Sequence, residues 1–235
     1  MRADSPFRGA PLIGFSAMAL TIDIVSDVVC PWCYVGKRRL ERALELYRAR
    51  RPDAPAPTVT YHPFQLNPDI PREGVPRAEY VEKKFGPRGY GAHERLVHAG
   101  APLGIAFAFD RIERQPNTLP AHALIEWARR RGVQPAVKEA LMKAFFVDAR
   151  DLTDPLTLAD VAAEAGLDRA EAETAIADAE LLKHVAEEEE HAKTMGIHGV
   201  PFFILNRRLA VEGAQPADVL LEAMLEAEKQ PAEAK

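Results

Sequence analysis

Two cysteines separated by two residues constrain this chain more than any other feature. Cys30 and Cys33 are the only cysteines in its 235 residues. Before them, residues 20–25 alternate β-branched side chains in the manner of a strand. After them, apolar residues recur at the spacing of one helix face, namely Leu40, Ala43, Leu44 and Tyr47. The sequence therefore predicts that the cysteine pair lies where a strand passes into a helix.

The predicted position at a helix N-terminus suits thiol chemistry. Only the thiolate form of cysteine attacks a disulfide, and the unpaired N–H groups and helix dipole at this end favour an anion. We expect Cys30 to be the attacking thiol, with its sulfur exposed, and Cys33 to be the resolving thiol one turn deeper. Pro31 suits the first helical turn, where its missing N–H costs no hydrogen bond. Pro31 and Trp32, between the cysteines, are expected to tune the pKa of the attacking thiol and to contact the substrate.

A structural or metal-binding role for the cysteines is the main alternative. Structural zinc sites commonly use four ligands, and the sequence has no second cysteine pair. The residues His184, His191 and His198 recur every seven positions, and we interpret them as surface residues because a metal site needs converging partners. A disulfide across two residues closes too short a loop to stabilise a fold appreciably. We therefore favour thiol chemistry and predict no metal site.

Composition limits the kind of protein and its partners. The chain has 47% hydrophobic and 28% charged residues, which is typical of a globular protein. Its net charge of −5 gives no basic surface for nucleic acid. No apolar run reaches the roughly 20 residues that span a bilayer. We expect neither nucleic acid nor membrane as a partner.

The first 19 residues have two interpretations. Ala17-Met18-Ala19 has the small-x-small form of a signal-peptide cleavage site, but Pro11 and Gly14 interrupt the apolar stretch before it. Alternatively, Met18 is the true start and residues 1–19 are a disordered extension. We favour the extension and a cytoplasmic location, whereas a signal peptide would make the location periplasmic.

The order of predicted elements indicates a divided α/β fold. A strand, a helix to about Arg50 and a second strand at 58–61 form a βαβ unit, so the two strands should be parallel. Strand signals return only at 202–205 and 209–211, which form a hairpin before a last helix. The fold class is therefore α/β, a thioredoxin-like fold interrupted by an all-helical insertion domain. We assign residues 20–70 and 181–230 to the thioredoxin-like domain and residues 71–180 to the insertion.

Local signals within the insertion mark the ends of helices. Asp154 and Asp168 stand at expected N-cap positions, and Thr118 is predicted to cap a helix that runs to about residue 130. The glycines and the proline between positions 86 and 91 predict a flexible interruption. Phe107 and Phe109 alternate like a strand but also fit a buried connector.

Four motifs, spread over nearly everything after residue 20, carry a family resemblance. They are Ser26-Asp27-Val28-Val29-Cys30-Pro31-Trp32-Cys33, Pro63-Phe64-Gln65-Leu66-Asn67-Pro68, Asn117-Thr118 followed by Ala121-His122, and Gly196-Ile197-His198-Gly199-Val200-Pro201-Phe202. Together they resemble the DsbA-like thiol oxidoreductases, and more closely their FrnE-like branch. The resemblance implies a thioredoxin fold with a helical insertion.

The resemblance also implies further site residues. It implies that Pro201 is cis and faces the cysteines, so that Val200 presents a backbone edge to an extended substrate segment. From the residues alone, this stretch is typical of a strand start. The family pattern places Phe64 and the pair Asn117-Thr118 beside a substrate pocket between the two domains. Phe64 fits the core equally well, and Thr118 fits a simple helix cap.

Three functions are compatible with this sequence. The leading hypothesis is a thiol–disulfide oxidoreductase in which Cys30 forms a mixed disulfide with the substrate and Cys33 resolves it. The second is a glutathione-dependent isomerase or transferase of the 2-hydroxychromene-2-carboxylate isomerase or kappa class. Members of those classes resemble this layout but typically carry serine where Cys30 stands. The third is a binding module without catalytic activity.

The leading hypothesis sets the expected partners. It needs no cofactor beyond the Cys30–Cys33 couple, with glutathione as a candidate thiol. The expected substrate is a protein or a small-molecule thiol or disulfide, and the sequence does not identify the redox partner. Both a monomer and a homodimer are compatible with it.

Overall fold

The computed structural model describes residues 19–86 and 89–229. The predicted N-terminal extension lies outside the described residues except for its last position. In chain order, the elements are β1 (Thr21–Ser26), α1 (Pro31–Arg50), β2 (Thr58–Pro63), β3 (Val75–Pro76), α2 (Arg77–Phe85), α3 (Gly89–Gly100), β4 (Arg114–Gln115), α4 (Leu119–Arg129), α5 (Gln134–Phe146), α6 (Pro155–Glu164), α7 (Arg169–Ala177), α8 (Ala179–Thr194), β5 (Phe202–Leu205), β6 (Leu209–Glu212) and α9 (Ala217–Lys229).

A four-stranded sheet in the order β2-β1-β5-β6 organises the fold. β1 runs parallel to β2 and antiparallel to β5, and β5 runs antiparallel to β6. In the register of the central strand, Ile24 lies opposite Tyr61 on one side and Phe203 on the other. The predicted βαβ unit and the predicted C-terminal hairpin are both confirmed.

Helices cover this sheet and bury its apolar side chains. α1 packs against α9, and their inward faces join a core that contains Ile22 and Ile24 of β1. The alternate residue Val25 packs in a smaller cluster with Phe64, Ala192 of α8 and Ile197. This alternation places β1 between two packed layers, so its C-terminal end is held firmly where the cysteine motif begins.

The segment predicted as the helical insertion, residues 71–180, differs from the prediction in two ways. It is not entirely helical, because β3 and β4 pair as a short antiparallel ladder in which Val75 lies opposite Gln115. The predicted flexible interruption at 86–91 is wrong for its second half, because α3 begins at Gly89. Phe109 lies buried in a short 3-10 turn, so this stretch is a connector rather than a strand.

Two of the three helix caps predicted in the insertion are confirmed by side-chain hydrogen bonds. Asp154 accepts hydrogen bonds from the N–H groups of Leu156 and Thr157, and Asp168 accepts one from Glu171. Thr118 precedes α4 as expected, but its side chain makes no capping bond.

Ion pairs fasten the insertion to the thioredoxin-like domain beside the cysteine motif. The carboxylate of Glu139, on α5, lies 2.6 Å from Nζ of Lys37 and 2.5 Å from a guanidinium nitrogen of Arg38. It also accepts a hydrogen bond of 2.8 Å from the hydroxyl of Tyr34. These contacts join α5 to α1 beside the cysteine motif.

None of the helices in the described ranges combines the length and apolar character that crossing a bilayer requires.

Candidate active site

Cys30 and Cys33 lie at the N-terminus of α1, as predicted. Cys30 is the N-cap residue, with extended backbone angles, and Pro31 takes the first helical position. The N–H of Cys33 donates to the carbonyl of Cys30 at 3.0 Å, which places the second cysteine in the first turn. Both thiols are free. The pair thus lies at the end of the helix where unpaired N–H groups favour a thiolate.

The expected exposure of the Cys30 sulfur is not observed. Cys30 is 5% exposed and Cys33 is 2% exposed. The loop before β5 covers the pair, and Sγ of Cys30 lies 3.6 Å from the carbonyl oxygen of Val200. Trp32, at 41% exposure, is the part of the motif that faces solvent. The Cys30 sulfur therefore lies against the Val200 backbone, and the exposed Trp32 stands two residues along the chain.

The loop that covers Cys30 rests on a glycine of α1. The peptide bond between Val200 and Pro201 is cis, and the Pro201 ring is buried against Gly36. A Cβ atom at position 36 would lie 2.9 Å from Cγ of Pro201 and 3.3 Å from Cζ of Phe203. The close approach of the loop to the helix therefore depends on the missing side chain of Gly36.

A buried carboxylate lies beneath the motif. Asp27 is fully buried, and its carboxylate accepts from the N–H of Leu66 at 2.9 Å and lies 3.3 Å from Nε2 of His122. The same Nε2 is 3.1 Å from the carbonyl oxygen of Phe64, which can only accept, so this nitrogen carries a proton. Burial raises the pKa of Asp27, but the bond and charge of His122, the Leu66 N–H and the charge of Lys138 outweigh burial and leave the pKa below its usual value.

The surroundings of Cys33 oppose ionisation of its thiol. Burial raises the pKa of the Cys33 thiol well above its ordinary value, and a hydrogen bond to Cys30 and the repulsion of its charge raise it further. The ammonium of Lys138 acts in the opposite direction. The two cysteines thus differ. Cys30 lies at the N-terminus of the helix, whereas burial opposes ionisation of Cys33.

The other predicted site residues occupy different surroundings. Pro31 and Val200 are half-buried beside the cysteines. Phe64 lies in the apolar cluster under β1, which matches its interpretation as a core residue. Thr118 is buried.

The side chain of Asn117 makes hydrogen bonds that link two backbone segments. Its amide nitrogen donates to the carbonyl of Ile70 at 2.7 Å, and its oxygen accepts from the N–H of Leu119 at 3.0 Å. These bonds hold the loop after β2 against the start of α4. Whether Phe64, Asn117 and Thr118 contact a substrate stays a prediction.

Four residues that frame the site were not selected as site residues from the sequence. Asp27 and His122 stand within the quoted motifs, but no role was assigned to them. Gly36 gives no local signal, because its role arises from a loop that is distant in sequence. Lys138 does give one: it interrupts the apolar stripe of its helix next to Val137, and a charge on an inward face is a signal of function.

One group of possible metal ligands lies away from the cysteines. Glu126, His184 and Glu188 place their ligand atoms within 4.8 Å of one another. However, the Glu126 carboxylate already accepts two bonds of 2.7 Å from Arg129 and lies 3.4 Å from Nε of Arg130. Two guanidinium groups at this carboxylate oppose a further cation, so we interpret the group as a network of ion pairs.

Comparisons with known proteins agree with this geometry. The family model described as DSBA-like thioredoxin domain matches residues 21–225. The crystal structure of a probable DsbA oxidoreductase, SCO1869 from Streptomyces coelicolor, is 32% identical and superposes with a TM-score of 0.82, over 92% of this chain and 93% of that one.

Two more distant structures show the same fold. The cytosolic disulfide reductase DsbM from Pseudomonas aeruginosa, solved with GSH, is 21% identical with a TM-score of 0.63, over 88% of this chain and 99% of that one. A 2-hydroxychromene-2-carboxylate isomerase is 17% identical with a TM-score of 0.65, over 89% of this chain and 97% of that one.

Proposed function

Because this chain belongs to the family of DsbA-like thioredoxin domains, whose members include thiol–disulfide oxidoreductases, we propose that it catalyses thiol–disulfide exchange through Cys30 and Cys33. The observation that carries the proposal is the position of Cys30 at the N-cap of α1, against the carbonyl of Val200. A free thiol at a helix N-terminus, with a second thiol one turn deeper, is the arrangement that exchange requires.

The proposed reaction has two steps. The Cys30 thiolate attacks one sulfur of a substrate disulfide, the substrate S–S bond breaks, and its second sulfur leaves and takes a proton. Cys33 then attacks Cys30, the mixed disulfide breaks, and the first substrate sulfur leaves as a thiol. The substrate is reduced by two electrons and the protein is oxidised to its disulfide. The reverse sequence oxidises a dithiol substrate.

The surroundings of Cys30 support an extended substrate. Trp32 is an exposed apolar residue of the cysteine motif, and the backbone carbonyl of the half-buried Val200 lies against the Cys30 sulfur. An extended peptide that binds there pairs with the Val200 backbone and brings its sulfur to Cys30. Glutathione is a peptide thiol of suitable size, and the similar fold of DsbM was solved with GSH. We propose a protein or a glutathione-like thiol or disulfide as the substrate.

Reduction of insulin disulfides, followed by turbidity, tests the proposal. The wild type should accelerate reduction by dithiothreitol, and Cys30→Ser should abolish the acceleration. Incubated with insulin in the absence of a reductant, Cys33→Ser should instead accumulate a covalent complex, which later addition of dithiothreitol releases. The chain has no other cysteine, so a trapped complex must involve Cys30. Full activity of Cys30→Ser would rule the proposal out.

The same variants distinguish the glutathione-dependent alternative. An isomerase uses glutathione as a thiol and leaves the protein disulfide out of its cycle. Glutathione-dependent conversion of an aromatic substrate that survives Cys33→Ser, together with no insulin reduction by the wild type, would replace the proposed reaction by that alternative.

A further inference from the structure

A cleft in the insertion lies outside the motifs that form the cysteine site. It has a volume of about 740 Å³ and is lined by residues of α2, of α3 and of the connector that precedes β4. Val81 of α2, Val97 of α3 and Phe107 of the connector belong to its apolar lining. Ligand pockets of this size are usually apolar, with a few polar groups at fixed positions. The cleft is therefore large enough and apolar enough to hold a small molecule.

Stacked rings form part of the lining and are held by the core of the insertion. Phe109 stacks on Phe107, with ring centres 4.8 Å apart, and on the imidazole of His93, with centres 4.5 Å apart. Phe107 and Phe109 also meet the buried Phe146 of α5 edge-on, with centres 5.4 and 6.0 Å away. Because these rings already pack against one another, this side of the cleft exists before any ligand binds.

A guanidinium group lines this apolar cleft without a carboxylate partner. Arg77, at the start of α2, donates from Nη1 to Oε1 of Gln115. Its Nε is buried and makes no hydrogen bond, and within residues 19–86 and 89–229 no carboxylate acts on its charge. Burial lowers the pKa of Arg77, but arginine keeps its proton at neutral pH. A partly buried cation without an anion is costly, so this position favours an anion supplied by a ligand.

The surroundings of Arg77 limit where such an anion can bind. The rings of Tyr80 and Phe145 have their centres 5.4 and 6.0 Å from Cζ, and Gln115 occupies Nη1. Neither Nε nor Nη2 donates to a residue in the described part of the chain. These two nitrogens form one edge of the guanidinium, and a carboxylate is the acceptor that matches such an edge with two parallel bonds.

We propose that this cleft binds a small apolar monocarboxylate, with its carboxylate on Arg77 and its apolar body against the side chains of Val97 and Phe107. Two exposed carboxylates, Glu94 and Asp110, also line the cleft. They repel a second negative charge on the ligand, so the site disfavours phosphates and dicarboxylates. The inference does not rest on the proposed exchange reaction, because no residue of the cysteine motifs lines the cleft.

Methyl NMR of the full reduced chain tests the site with two probes, 3-phenylpropanoate and octanoate. They share a carboxylate and differ in the apolar body, so the comparison also shows whether the cleft prefers an aromatic or an alkyl ligand. Methyl resonances of Val81, Val97 and Ile112 should shift, whereas those of Val219, exposed on α9, should not. At least one probe should bind with a Kd of about 3 mM or tighter, as expected for ligands of about 10 non-hydrogen atoms.

The neutral amides of the two probes test the role of charge. Each amide should bind at least about fivefold more weakly than its carboxylate, because it carries no charge for Arg77 to meet. An absence of shifts in the cleft with both carboxylates at about 20 mM would overturn the proposal. Equal affinities of the amides and the carboxylates would also overturn it.

Substitutions in the cleft test the residues that hold the ligand. Arg77→Met should weaken carboxylate binding at least about tenfold and remove the preference over the amide. Arg95→Met removes an exposed arginine from α3 and should leave the Kd within about a factor of two. Val97 is 44% exposed and tolerates a charge, so Val97→Glu is the second variant if Arg77→Met does not fold. It should raise the Kd of the carboxylate more than that of the amide. Wild-type affinities in the folded variants would contradict the proposal.

A last comparison separates this cleft from the cysteine site. Cys30→Ser should bind both probes as the wild type does, because Cys30 does not line the cleft. Loss of binding in Cys30→Ser would place the ligand at the thiol and overturn the inference. If the wild type does not reduce insulin but the methyl shifts in the cleft persist, only the exchange reaction fails.

Discussion

Sγ of Cys30 lies 3.6 Å from the carbonyl oxygen of Val200, although 170 residues separate them in the chain. The contact joins the first half of the thioredoxin-like domain to the second, across the whole insertion. It also closes the site over a thiol that the sequence alone predicted to be exposed. The way the Val200–Pro201 loop packs on α1 therefore determines access to the reactive sulfur.

We expect Gly36→Ala to loosen this packing. The new methyl group would meet Pro201 at 2.9 Å and Phe203 at 3.3 Å, and overpacking of this kind costs about 1–3 kcal/mol. The gain of about 1 kcal/mol from alanine in a helix offsets only part of this cost. Urea denaturation should show a net loss of stability, and insulin reduction should slow severalfold because the loop moves relative to Cys30.

Gly91→Ala is the matched control, because Gly91 is also in a helix and no described atom lies within 4 Å of the added Cβ. It should keep full activity and gain up to about 1 kcal/mol. If Gly36→Ala were as stable and as active as Gly91→Ala, the close packing of Pro201 on α1 would not matter for the site.

We expect Trp32→Ala to weaken substrate binding without disturbing the fold. Trp32, in the cysteine motif, is 41% exposed, and exposed aromatic residues of this kind contribute about 1 kcal/mol or more to protein contacts. KM for a protein disulfide should rise about fivefold, kcat should change little, and stability should fall by less than about 1 kcal/mol. Leu156→Ala, an exposed apolar residue on α6, serves as the control. An unchanged KM in Trp32→Ala would exclude the ring from substrate contact.

Much of this architecture could be predicted from local patterns. The βαβ unit, the hairpin and the helix caps at Asp154 and Asp168 follow from periodicity and side-chain chemistry within a few residues. The cysteine pair at the start of α1 follows in the same way, because a strand and a helix each leave their own signature beside it. These are the features that short-range sequence patterns determine.

The surroundings of the cysteines depend on contacts between distant segments. The Val200 carbonyl that lies against Cys30 comes from a loop 170 residues away, and the burial that raises the pKa of Cys33 likewise comes from packing between segments. The ladder of β3 and β4 has two residues in each strand, too few for any periodic pattern. No local signal reports such contacts, although a lysine on an apolar helix face could have directed attention to α5.

We expect Asp27→Asn to reduce stability in a pH-dependent way. The pKa of Asp27 in the folded state lies below its ordinary value of 3.8, so its contribution is fully present above about pH 4 and is lost as the pH falls through the folded pKa. At pH 7, one buried N–H donor would face the amide nitrogen of the new side chain, at a cost of about 1–3 kcal/mol. The difference between wild type and variant should therefore narrow from pH 5 to pH 2.5.

Chemical denaturation of both reduced proteins across that range measures the effect. Asp154→Asn, at a half-buried helix cap far from the cysteines in sequence, controls for the loss of a carboxylate elsewhere. A difference between wild type and Asp27→Asn that stays constant from pH 5 to pH 2.5 would contradict the ionised state assigned to Asp27.

We expect Lys138→Met to stabilise the protein. Burial lowers the pKa of Lys138 from its ordinary value of 10.5 to about 8. The unfolded chain therefore holds a proton that the folded protein releases between these values, and the stability of the wild type should rise with pH across this window. Each pKa unit corresponds to about 1.4 kcal/mol, so the buried charge costs about 3 kcal/mol at pH 7.

Methionine has a similar length and no charge, and replacing a buried ion by an apolar side chain commonly gains about 1–4 kcal/mol. Urea denaturation should show Lys138→Met to be more stable than wild type by about 2 kcal/mol at pH 7, with a difference that shrinks towards pH 10. Lys143→Met, on the exposed face of the same helix, should change stability by less than about 1 kcal/mol. A destabilised Lys138→Met would instead mean that the ammonium supports the fold.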